Sequence, residues 1–413
     1  MSAQSFDVVV IGAGPAGACL AAFLAGRGRS VLLLEKDDFP RYHIGESLTG
    51  TAGAVLDELG LTGEMDRLQF PRKDGVKVIG AGARSEFFVP VFQETWQVRR
   101  AEFDAVLLRR AVELGAEHRL GTVLDVLRRG TRVEGVRYRP AGTARHVEVR
   151  ARYVADCSGS AALLSRLGVA GERRRNEEFG QQVAFFTQFE NARRDPGDMG
   201  NNTFIFYSEL YHWAWFIPLS PTLTSVGVVM PAETKRRVAD SGEAALRWGL
   251  ESVNPDLCDR VSGLPFAEPV RAAAGYSYRI DPFAGDGWLC VGDAHGFIDP
   301  IFSFGVSIAM QEARLAAGHI DEVLDGADWR PAMEAYARAC DRGFDVAFDV
   351  IRYFWRFPVF FGYQMRGSLR KDIIRLLGSD IHAPEPLPAV EVMRSALRRA
   401  SESPPSMGHA LAG

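Results

Sequence analysis

The chain has 413 residues, 47% of them hydrophobic and 24% charged, with a formal net charge of −4. This composition is typical of globular proteins and excludes a disordered chain, and without a basic excess we expect no binding to nucleic acid. The five cysteines form no CxxC pair, which argues against a metal site or a disulfide scaffold and favours a cytoplasmic location.

The N-terminal region predicts a β-α-β unit. Residues 7–11 and 30–34 are short apolar runs expected to form buried strands, and residues 16–27 are expected to form the helix between them. Residues 8–26 carry no charge and approach the length of a membrane span. A proline and several glycines interrupt this stretch and no basic residue precedes it, so we expect neither a signal peptide nor a membrane partner.

The turn between the first strand and the helix has the sequence Gly12-Ala-Gly-Pro-Ala-Gly17. Gly12 permits a tight turn, Gly14 lets the backbone approach a pyrophosphate, and Gly17 lets the helix pack closely on the strand. The helix N-terminus then faces the phosphates with a partial positive charge. Glu35 ends the second strand, where a carboxylate can accept hydrogen bonds from ribose hydroxyls. The pattern predicts a dinucleotide site but does not separate FAD from NAD.

The middle of the chain predicts further strands and helices. Residues 96–115 are expected to form a strand end followed by an amphipathic helix, and residues 123–149 an antiparallel meander. A second, largely antiparallel sheet is predicted from runs rich in aromatic and β-branched residues, at 182–189, 203–207, 213–218 and 225–230. The C-terminal part is expected to be mostly helical, with loose segments at 384–388 and 401–413.

Residues 285–300 favour FAD over NAD. They predict a buried strand at 287–291 followed by Asp293, whose carboxylate can bind the ribityl chain of a flavin. A helix predicted from Gly305 to residue 324 would direct its N-terminus at the flavin ring, and its dipole favours the anionic reduced flavin. The alternative interpretation of Asp293 is the N-cap of a structural helix.

Two further segments connect these features to a known family. Residues 98–104 have the sequence Val-Arg-Arg-Ala-Glu-Phe-Asp, and residues 156–159 have Asp-Cys-Ser-Gly. Together with the glycine turn they resemble the FAD-dependent aromatic hydroxylase superfamily. The resemblance implies an α/β fold class and a glutathione-reductase-like FAD-binding fold, with an inserted, mostly antiparallel sheet domain for the substrate and a helical C-terminal segment. It also implies that Arg100 lies near the FAD ribose and phosphates, the alternative being a solvated cation at a helix start.

The resemblance divides the chain into three expected regions. The FAD-binding domain is discontinuous and would comprise residues 1–75, 96–170 and 280–325. The sheet domain would comprise residues 76–95 and 171–279. Residues 326–413 would form the helical C-terminal region with its loose tail.

Three more segments narrow the resemblance to flavin-dependent halogenases. Residues 39–48 look like that family's loop after the second strand, residues 213–218 match its Trp-x-Trp-x-Ile-Pro motif, and residues 299–306 are similar to its Asp-Pro-x-Phe-Ser-x-Gly segment. The resemblance implies a set of FAD contacts, namely Gly12, Gly14, Ala16, Gly17, Glu35, Arg41, Ser47, Arg100, Asp293, Pro300, Gly305 and Val306.

The resemblance also implies the chemistry. Reduced FAD (FADH2) reacts with O2 to give a C4a-hydroperoxide, chloride or bromide is oxidised, and hypohalous acid moves through a dry tunnel to the substrate. Trp213 and Trp215 would separate flavin from substrate, the alternative being ordinary strand core. Lys73 is expected to be catalytic, because desolvation lowers the pKa of a buried amine. Lys77 is the second candidate, and for either lysine the alternative is a surface charge.

The backbone amides of Phe304 and Gly305 are expected to hold the halide. Halogenases usually have Ser or Thr where this chain has Phe304, so the phenyl ring either leaves the halide cavity open or fills it. His295 is interpreted as a loop residue that hydrogen-bonds near phosphate, with acid–base catalysis as the alternative. The aromatic segment 348–363 predicts a helical lid or core rather than an interfacial membrane helix, because Pro358 and a glycine interrupt it.

The sequence therefore predicts FADH2- and O2-dependent halogenation of an electron-rich aromatic. The substrate would be phenol- or pyrrole-like, either free or tethered to an acyl or peptidyl carrier protein. No second GxGxxG unit for NAD(P)H is visible, so we expect a separate flavin reductase as partner. The alternatives are an FAD-dependent monooxygenase that hydroxylates an aromatic without halide and, less favoured, a flavoprotein reductase.

Overall fold

Two large sheets and one small sheet organise the described part of the chain. The computed structural model describes residues 4–81, 86–179 and 181–402. The strands are β1 (Ser5–Ile11), β2 (Val31–Glu35), β3 (Gly75–Gly80), β4 (Glu86–Pro90), β5 (Glu117–Arg129), β6 (Arg132–Pro140), β7 (Val147–Asp156), β8 (Arg173–Arg175), β9 (Gln182–Glu190), β10 (Thr203–Tyr207), β11 (Trp213–Pro218), β12 (Leu223–Pro231), β13 (Arg271–Ala274), β14 (Tyr278–Ile280), β15 (Ala284–Gly285), β16 (Trp288–Cys290) and β17 (Gly296–Phe297).

Helices cover both large sheets. They are α1 (Pro15–Gly26), α2 (Gly50–Glu58), α3 (Thr62–Arg67), α4 (Arg100–Glu113), α5 (Leu163–Arg166), α6 (Ala232–Val238), α7 (Gly242–Ser252), α8 (Pro255–Val261), α9 (Phe304–Leu324), α10 (Trp329–Arg356), α11 (Pro358–Gln364), α12 (Arg370–Leu377) and α13 (Pro388–Glu402). Within the described residues, none of them combines the length and the apolar character that crossing a membrane requires.

The first sheet has the order β1-β2-β5-β6-β7-β16-β15, with β1 also paired to β7. β1 runs parallel to β2 and to β7, and β16 runs parallel to β7. The meander predicted for residues 123–149 is confirmed as the antiparallel strands β5, β6 and β7. α1 and α9 pack together on this sheet, so its parallel strands are buried and apolar, as in an α/β fold.

The second sheet has the order β13-β9-β12-β11-β10-β3-β4. All four strands predicted between residues 182 and 230 are confirmed as β9 to β12, which pair antiparallel. β3 and β4 extend the same sheet, and β3 runs parallel to β10. The predicted domain boundaries, which assign β3 and β4 to the sheet domain, stay a prediction.

A small sheet of β17, β14 and β8 was not predicted. β8 consists of three exposed arginines, and β17 has two residues, so neither strand shows the alternation that marks a strand in a sequence. α6, α7 and α8 cover one face of the second sheet with apolar side chains, while its other face meets the C-terminal helices.

The C-terminal region is helical, and its aromatic segment is largely core. α10 ends at Arg356 and α11 begins with Pro358, because proline cannot continue a helix but is favoured at its first position. The side chains of Tyr353, Phe354, Trp355 and Phe361 are buried in one apolar cluster.

The expectation of loose chain at 401 and 402, and at Pro388, was wrong. Pro388 starts α13, which continues to Glu402. Its sequence is amphipathic, and Ala389, Val390 and Met393 are buried on one side, so packing stabilises a helix where the composition indicated a tail. Residues 384–387 are irregular, as predicted, and residues 403–413 lie outside the described residues.

Candidate active site

One cavity of about 790 Å³ joins the β-α-β unit to the second sheet. Its volume lies in the range typical of cofactor pockets. Most of the predicted site residues line it, namely Gly12, Gly14, Ala16, Glu35, Arg41, Ser47, Arg100, Trp213, Trp215, Asp293, Pro300, Gly305 and Val306. The remaining predicted site residues, Gly17, Lys73 and Phe304, are not among the residues that line it.

The three glycines of the first turn have different roles. Gly12 has a φ of +97°, and a Cβ there would lie 2.5 Å from the carbonyl oxygen of Cys157. A Cβ on Gly17 would lie 1.8 Å from the carbonyl oxygen of Gly12, so only glycine allows this contact between helix and strand. A Cβ on Gly14 would meet only the Arg41 guanidinium, at 3.6 Å, because Gly14 faces the cavity.

Glu35 is fixed at the cavity wall by backbone donors. Its Oε2 atom accepts the Ala13 N–H at 2.8 Å, and its Oε1 atom accepts the Lys36 N–H at 2.8 Å. Arg41 Nη2 lies 3.9 Å from Oε2. The buried Nε of Arg41 has no hydrogen-bond partner among the described residues, which is a donor available to a bound anionic group.

Arg100 is buried, so the alternative interpretation as a solvated cation was wrong. Its Nε and Nη2 atoms donate to the two carboxylate oxygens of Asp104 at 2.7 and 3.0 Å. The four-residue spacing on α4 brings the two side chains together. A bidentate pair fixes the guanidinium plane, and Arg100 lines the cavity in this position.

Asp293 follows β16 at the end of the first sheet. It lies within a short turn, Gly292–Ala294, and makes no side-chain capping bond, so the alternative interpretation as a helix N-cap was wrong. Burial raises the pKa of its carboxyl to about 7. A partner that donates a hydrogen bond would stabilise the ionised carboxylate, as a ribityl hydroxyl does.

The N-terminus of α9 faces the cavity at Gly305. The preceding Ser303 has a φ of 59°, and Ser303, Gly305 and Val306 line the cavity. A Cβ on Gly305 would meet no atom within 4 Å, so there is open space beside those amides. The Phe304 ring is fully buried and packs 5.9 Å from the Phe302 ring. The phenyl ring therefore turns into the core and leaves this part of the cavity open.

Trp213 and Trp215 lie on the same face of β11, and both line the cavity. Their ring centroids are 5.9 Å apart. Trp215 Nε1 donates to Ser225 Oγ at 3.2 Å. Gly227, on the neighbouring strand, makes room for this indole, because a Cβ there would lie 2.3 Å from the ring. The pair forms a rigid aromatic wall, and its predicted role in separating flavin from substrate stays a prediction.

Lys73 is only 3% exposed and carries a buried amine. Its Nζ atom donates to Ser47 Oγ at 2.9 Å and to the Leu48 carbonyl at 2.8 Å. Burial lowers its pKa to about 7. Ser47 Oγ lies 2.7 Å from Thr203 Oγ1. Ser47 and Thr203 both line the cavity, so Lys73 reaches the cavity wall through these hydroxyls.

The two other candidates named from the sequence lie elsewhere. Lys77 Nζ pairs with Glu86 at 2.9 Å and with Asp195 at 3.4 Å. These ion pairs favour a structural role for Lys77 over a catalytic one. His295 was expected near phosphate, but it does not line the cavity. Its Nδ1 atom lies 3.1 Å from Glu312 Oε1, and its ring lies 3.8 Å from the Phe283 ring. His295 is therefore part of a buried ion pair.

Glu46 is a cavity residue that the sequence analysis did not single out. It is 2% exposed and lines the cavity between Gly45 and Ser47. Its Oε2 atom has no hydrogen-bond partner among the described residues, and burial raises its pKa to about 7. The residue stands inside the 39–48 segment, but only the fold shows that its carboxyl turns inward.

These features fit an FAD. The open face of Gly14 suits a pyrophosphate, the partnerless Arg41 Nε suits an anion, and the Asp293 carboxyl suits a ribityl hydroxyl. A flavin bound there would supply the redox chemistry. The chain itself supplies the residues around the cofactor, the aromatic wall of Trp213 and Trp215, and the buried Lys73 amine that donates to Ser47.

Comparison with known proteins identifies the class. Residues 5–347 match the model of the FAD binding domain family. The chain is 45% identical, over 95% of its length and 97% of the relative's, to the 1H-pyrrole-2-carbonyl-(peptidyl-carrier protein) brominase of Pseudoalteromonas luteoviolacea. It is 33% identical, over 82% of its length and 66% of the relative's, to a tryptophan 2-halogenase of Chondromyces crocatus. The chain belongs to the flavin-dependent halogenases, as its motifs predicted.

Solved structures agree with this assignment. The flavin-dependent brominase Bmp2 superposes with a TM-score of 0.93 at 44% identity, covering 96% of this chain and 99% of that one. The myxobacterial chondrochloren halogenase CndH superposes with a TM-score of 0.78 at 32% identity, covering 96% and 97%. The predicted fold class is thereby confirmed, and the chain is a flavin-dependent oxidoreductase that uses FAD and halide.

Proposed function

We propose that this halogenase acts on a pyrrole-2-carbonyl group carried by a peptidyl carrier protein, with FADH2 and O2 as co-substrates and a separate reductase as the source of FADH2. The observation that carries the proposal is the continuous cavity that connects the glycine turn, the tryptophan wall and the hydroxyls of Ser47 and Thr203, the first of which accepts the Lys73 amine. The relative from Pseudoalteromonas supports the substrate, since its name specifies a pyrrole on a carrier protein. A relative from Pseudomonas fluorescens is a chlorinase of the same substrate, at 29% identity over the whole chain.

The residues around the first turn and the start of α9 bind the cofactor and the halide. The amides before α1 and the Arg41 guanidinium hold the cofactor phosphates. The first amides of α9, beside Gly305, hold the halide, because the positive end of the helix dipole and several N–H groups meet there. Trp213 and Trp215 keep the pyrrole apart from the cofactor, so that only a small oxidised halogen species passes.

Lys73 carries out the transfer to the pyrrole. Its neutral amine has two N–H groups, which satisfy Ser47 Oγ and the Leu48 carbonyl, and a lone pair remains on Nζ. In one route that atom hydrogen-bonds hypohalous acid while the ring carbon takes the halogen, and the ring proton leaves with the departing hydroxide as water. In the other route Nζ takes the halogen, the O–halogen bond breaks, and the displaced N–H proton leaves with the hydroxide as water. The halogen then passes from Nζ to the ring carbon, and the ring proton returns to Nζ.

The test combines the purified chain with a flavin reductase, FAD, NADH and the pyrrole-2-carbonyl carrier protein, in the presence of bromide or chloride. Intact-protein mass spectrometry should find the carrier heavier by one or more halogens, each replacing hydrogen. A product heavier by oxygen alone would identify a hydroxylase, and turnover without oxygen would identify a reductase. Either result would overturn the proposal.

A further inference from the structure

An exposed surface on the C-terminal helices combines apolar and positively charged side chains. Val359, Phe360 and Tyr363 project from α11 and are 66%, 64% and 72% exposed. The spacings 359/363 and 360/363 place them on one helix face. The opposite face carries Phe361, which is fully buried. We call this outer face the α11 surface, together with the neighbouring exposed cations Arg356, Arg366, Arg370 and Lys371.

The charge of this surface is unbalanced. Residues 350–371 contain no Asp or Glu. Arg356, Arg366, Arg370 and Lys371 make no ion pair with any of the described residues, whereas Arg352 and Arg375, which flank them, each have a carboxylate partner. A cluster of free cations is unusual on a chain whose net charge is −4, and it creates a local positive potential.

The inner side of the same layer contacts both ends of the site. The Phe361 ring stacks on the Phe302 ring, with centroids 5.9 Å apart, and Phe302 directly precedes the turn that opens α9. After α12, Ser379 Oγ lies 2.8 Å from Thr49 Oγ1. Thr49 follows Leu48, whose carbonyl accepts the Lys73 amine. The layer that carries the α11 surface is therefore packed against residues that flank the proposed halide amides and Lys73.

We propose that the α11 surface docks the acidic face of the carrier protein that brings the substrate, an inference that rests on the proposed function. The carrier presents carboxylates and a phosphodiester-linked pantetheine arm, and both kinds of anion complement the free arginines. Phe360 and Tyr363 supply the aromatic anchors, and the arginines the polar rim, that are typical of protein interfaces. An acidic partner is steered to this surface and repelled from the negative remainder of the chain.

The charge pattern disfavours a second copy of this chain. In a two-fold dimer the same patch meets itself, so two clusters of four unpaired cations would face each other and repel. An anionic membrane would also attract this surface, and the experiment below separates that occupant from the carrier.

The experiment compares two charge-reversal variants with the wild-type enzyme. Arg366→Glu/Arg370→Glu changes the α11 surface. Arg236→Glu/Arg237→Glu is the matched control, since these arginines are exposed on α6 against the other face of the second sheet. Calorimetry measures the Kd for the pyrrole-2-carbonyl carrier protein of the Pseudoalteromonas relative. The Arg366/Arg370 variant should bind about tenfold or more weakly, with KM raised by the same factor and kcat little changed, while the control stays near wild type.

Two further measurements keep the test decisive. A pyrrole-2-carbonyl pantetheine thioester, which lacks the carrier protein, should be halogenated equally by all three enzymes. Binding of the carrier to the wild type should also weaken in about 1 M potassium acetate, where charges are screened. If the double Glu variant does not fold, Arg366→Gln/Arg370→Gln replaces it.

The outcomes distinguish the two proposals. If the wild type fails to halogenate the loaded carrier, the proposed function falls. If the wild type halogenates it and the Arg366/Arg370 variant binds and turns over the carrier normally, the docking proposal falls. The docking proposal also falls if the variant changes only self-association or binding to vesicles of phosphatidylserine.

Discussion

Lys73 combines an energetic cost with its proposed role in catalysis. Its pKa falls from 10.5 to about 7 through burial, a change that corresponds to about 5 kcal/mol at most. Such a cost is tolerated where it produces a neutral, nucleophilic amine at physiological pH. The two acceptors at Ser47 and Leu48 match the two N–H groups of that neutral form.

We predict that Lys73→Met lowers the halogenation rate by about 100-fold or more and leaves FAD affinity unchanged, because Lys73 is not among the residues that line the cavity. Relative to the variant, the wild type should gain stability between pH 7 and 10.5, since the unfolded wild-type chain binds the additional proton in this range. Product mass spectrometry and urea unfolding against pH measure both effects.

Lys77→Met is the control for Lys73→Met, because Lys77 is ion-paired with Glu86 and Asp195. It should keep its activity and the pH slope of the wild type. Equal pH slopes in Lys73→Met and the wild type would show that the amine is not buried in its neutral form.

The raised pKa of Glu46 predicts that its contribution to stability changes with pH in the direction opposite to that of Lys73. Its folded pKa of about 7 lies above the ordinary 4.5, with burial as the main cause and Arg100 and Arg271 as partial offsets. The folded chain binds the additional proton between these values, so stability falls as pH rises through them. Glu46→Gln should therefore exceed the wild type by up to about 3 kcal/mol at about pH 8, with no gain at about pH 4. Unfolding of the apoprotein in urea tests this, and a gain that is equal at both pH values would contradict it.

At the scale of elements, the start of α9 forms the proposed halide site. Ser303 adopts a left-handed conformation, the Phe304 ring is buried in the core, and Gly305 lines the cavity. The sequence predicted a helix from Gly305 and amides that bind an anion, but it left the direction of the phenyl ring open. That direction depends on Phe302 and on the C-terminal helices that surround it, which are distant in the chain.

Gly305→Ala should raise the KM for halide by about tenfold, since the methyl group enters the open space beside the amides. It should not lower the melting temperature, because alanine is the better helix former by about 1 kcal/mol. Gly318→Ala is the control on the same helix, where a Cβ also meets no atom within 4 Å. It should gain similar stability with an unchanged KM for halide. An unchanged KM for halide in Gly305→Ala would show that halide does not bind beside Gly305.

At the scale of the whole molecule, the buried pair of His295 and Glu312 connects the first sheet to α9. Glu312 Oε2 also accepts the Gly292 N–H at 2.7 Å. Burial alone would lower the pKa of His295, but the charge of Glu312, with Asp341 on α10, raises it to about 9. His382 packs close by, and burial lowers its pKa. The pair therefore stabilises the fold below the ordinary histidine pKa of 6.5, and this contribution is lost as pH rises through about 9.

Glu312→Gln should cost about 3 kcal/mol at about pH 6, because it leaves a buried imidazolium without its counter-ion. The cost should shrink above about pH 9, where the imidazole is neutral. Guanidinium unfolding at the two pH values measures the difference, and an equal loss at both would attribute the effect to the Gly292 hydrogen bond alone.

Local patterns predicted the glycine turn and Glu35, because each depends on neighbours within one or two elements. The position of Arg100 came from the family resemblance, and its pairing with Asp104 was not predicted. The environment of Lys73 depends on Ser47 and Thr203, which are 26 and 130 positions away and meet only when β3 pairs parallel to β10. No local pattern specifies that pairing, and Glu46 was missed for the same reason.

The contact between Ser379 and Thr49 has a consequence for how the two ends of the chain can vary. The family model ends at residue 347, and every residue that lines the cavity lies at or before Ala309. The helices after residue 347 therefore reach the site through supporting contacts such as this one rather than by lining it. Substitutions on their outer side would leave the lining itself untouched.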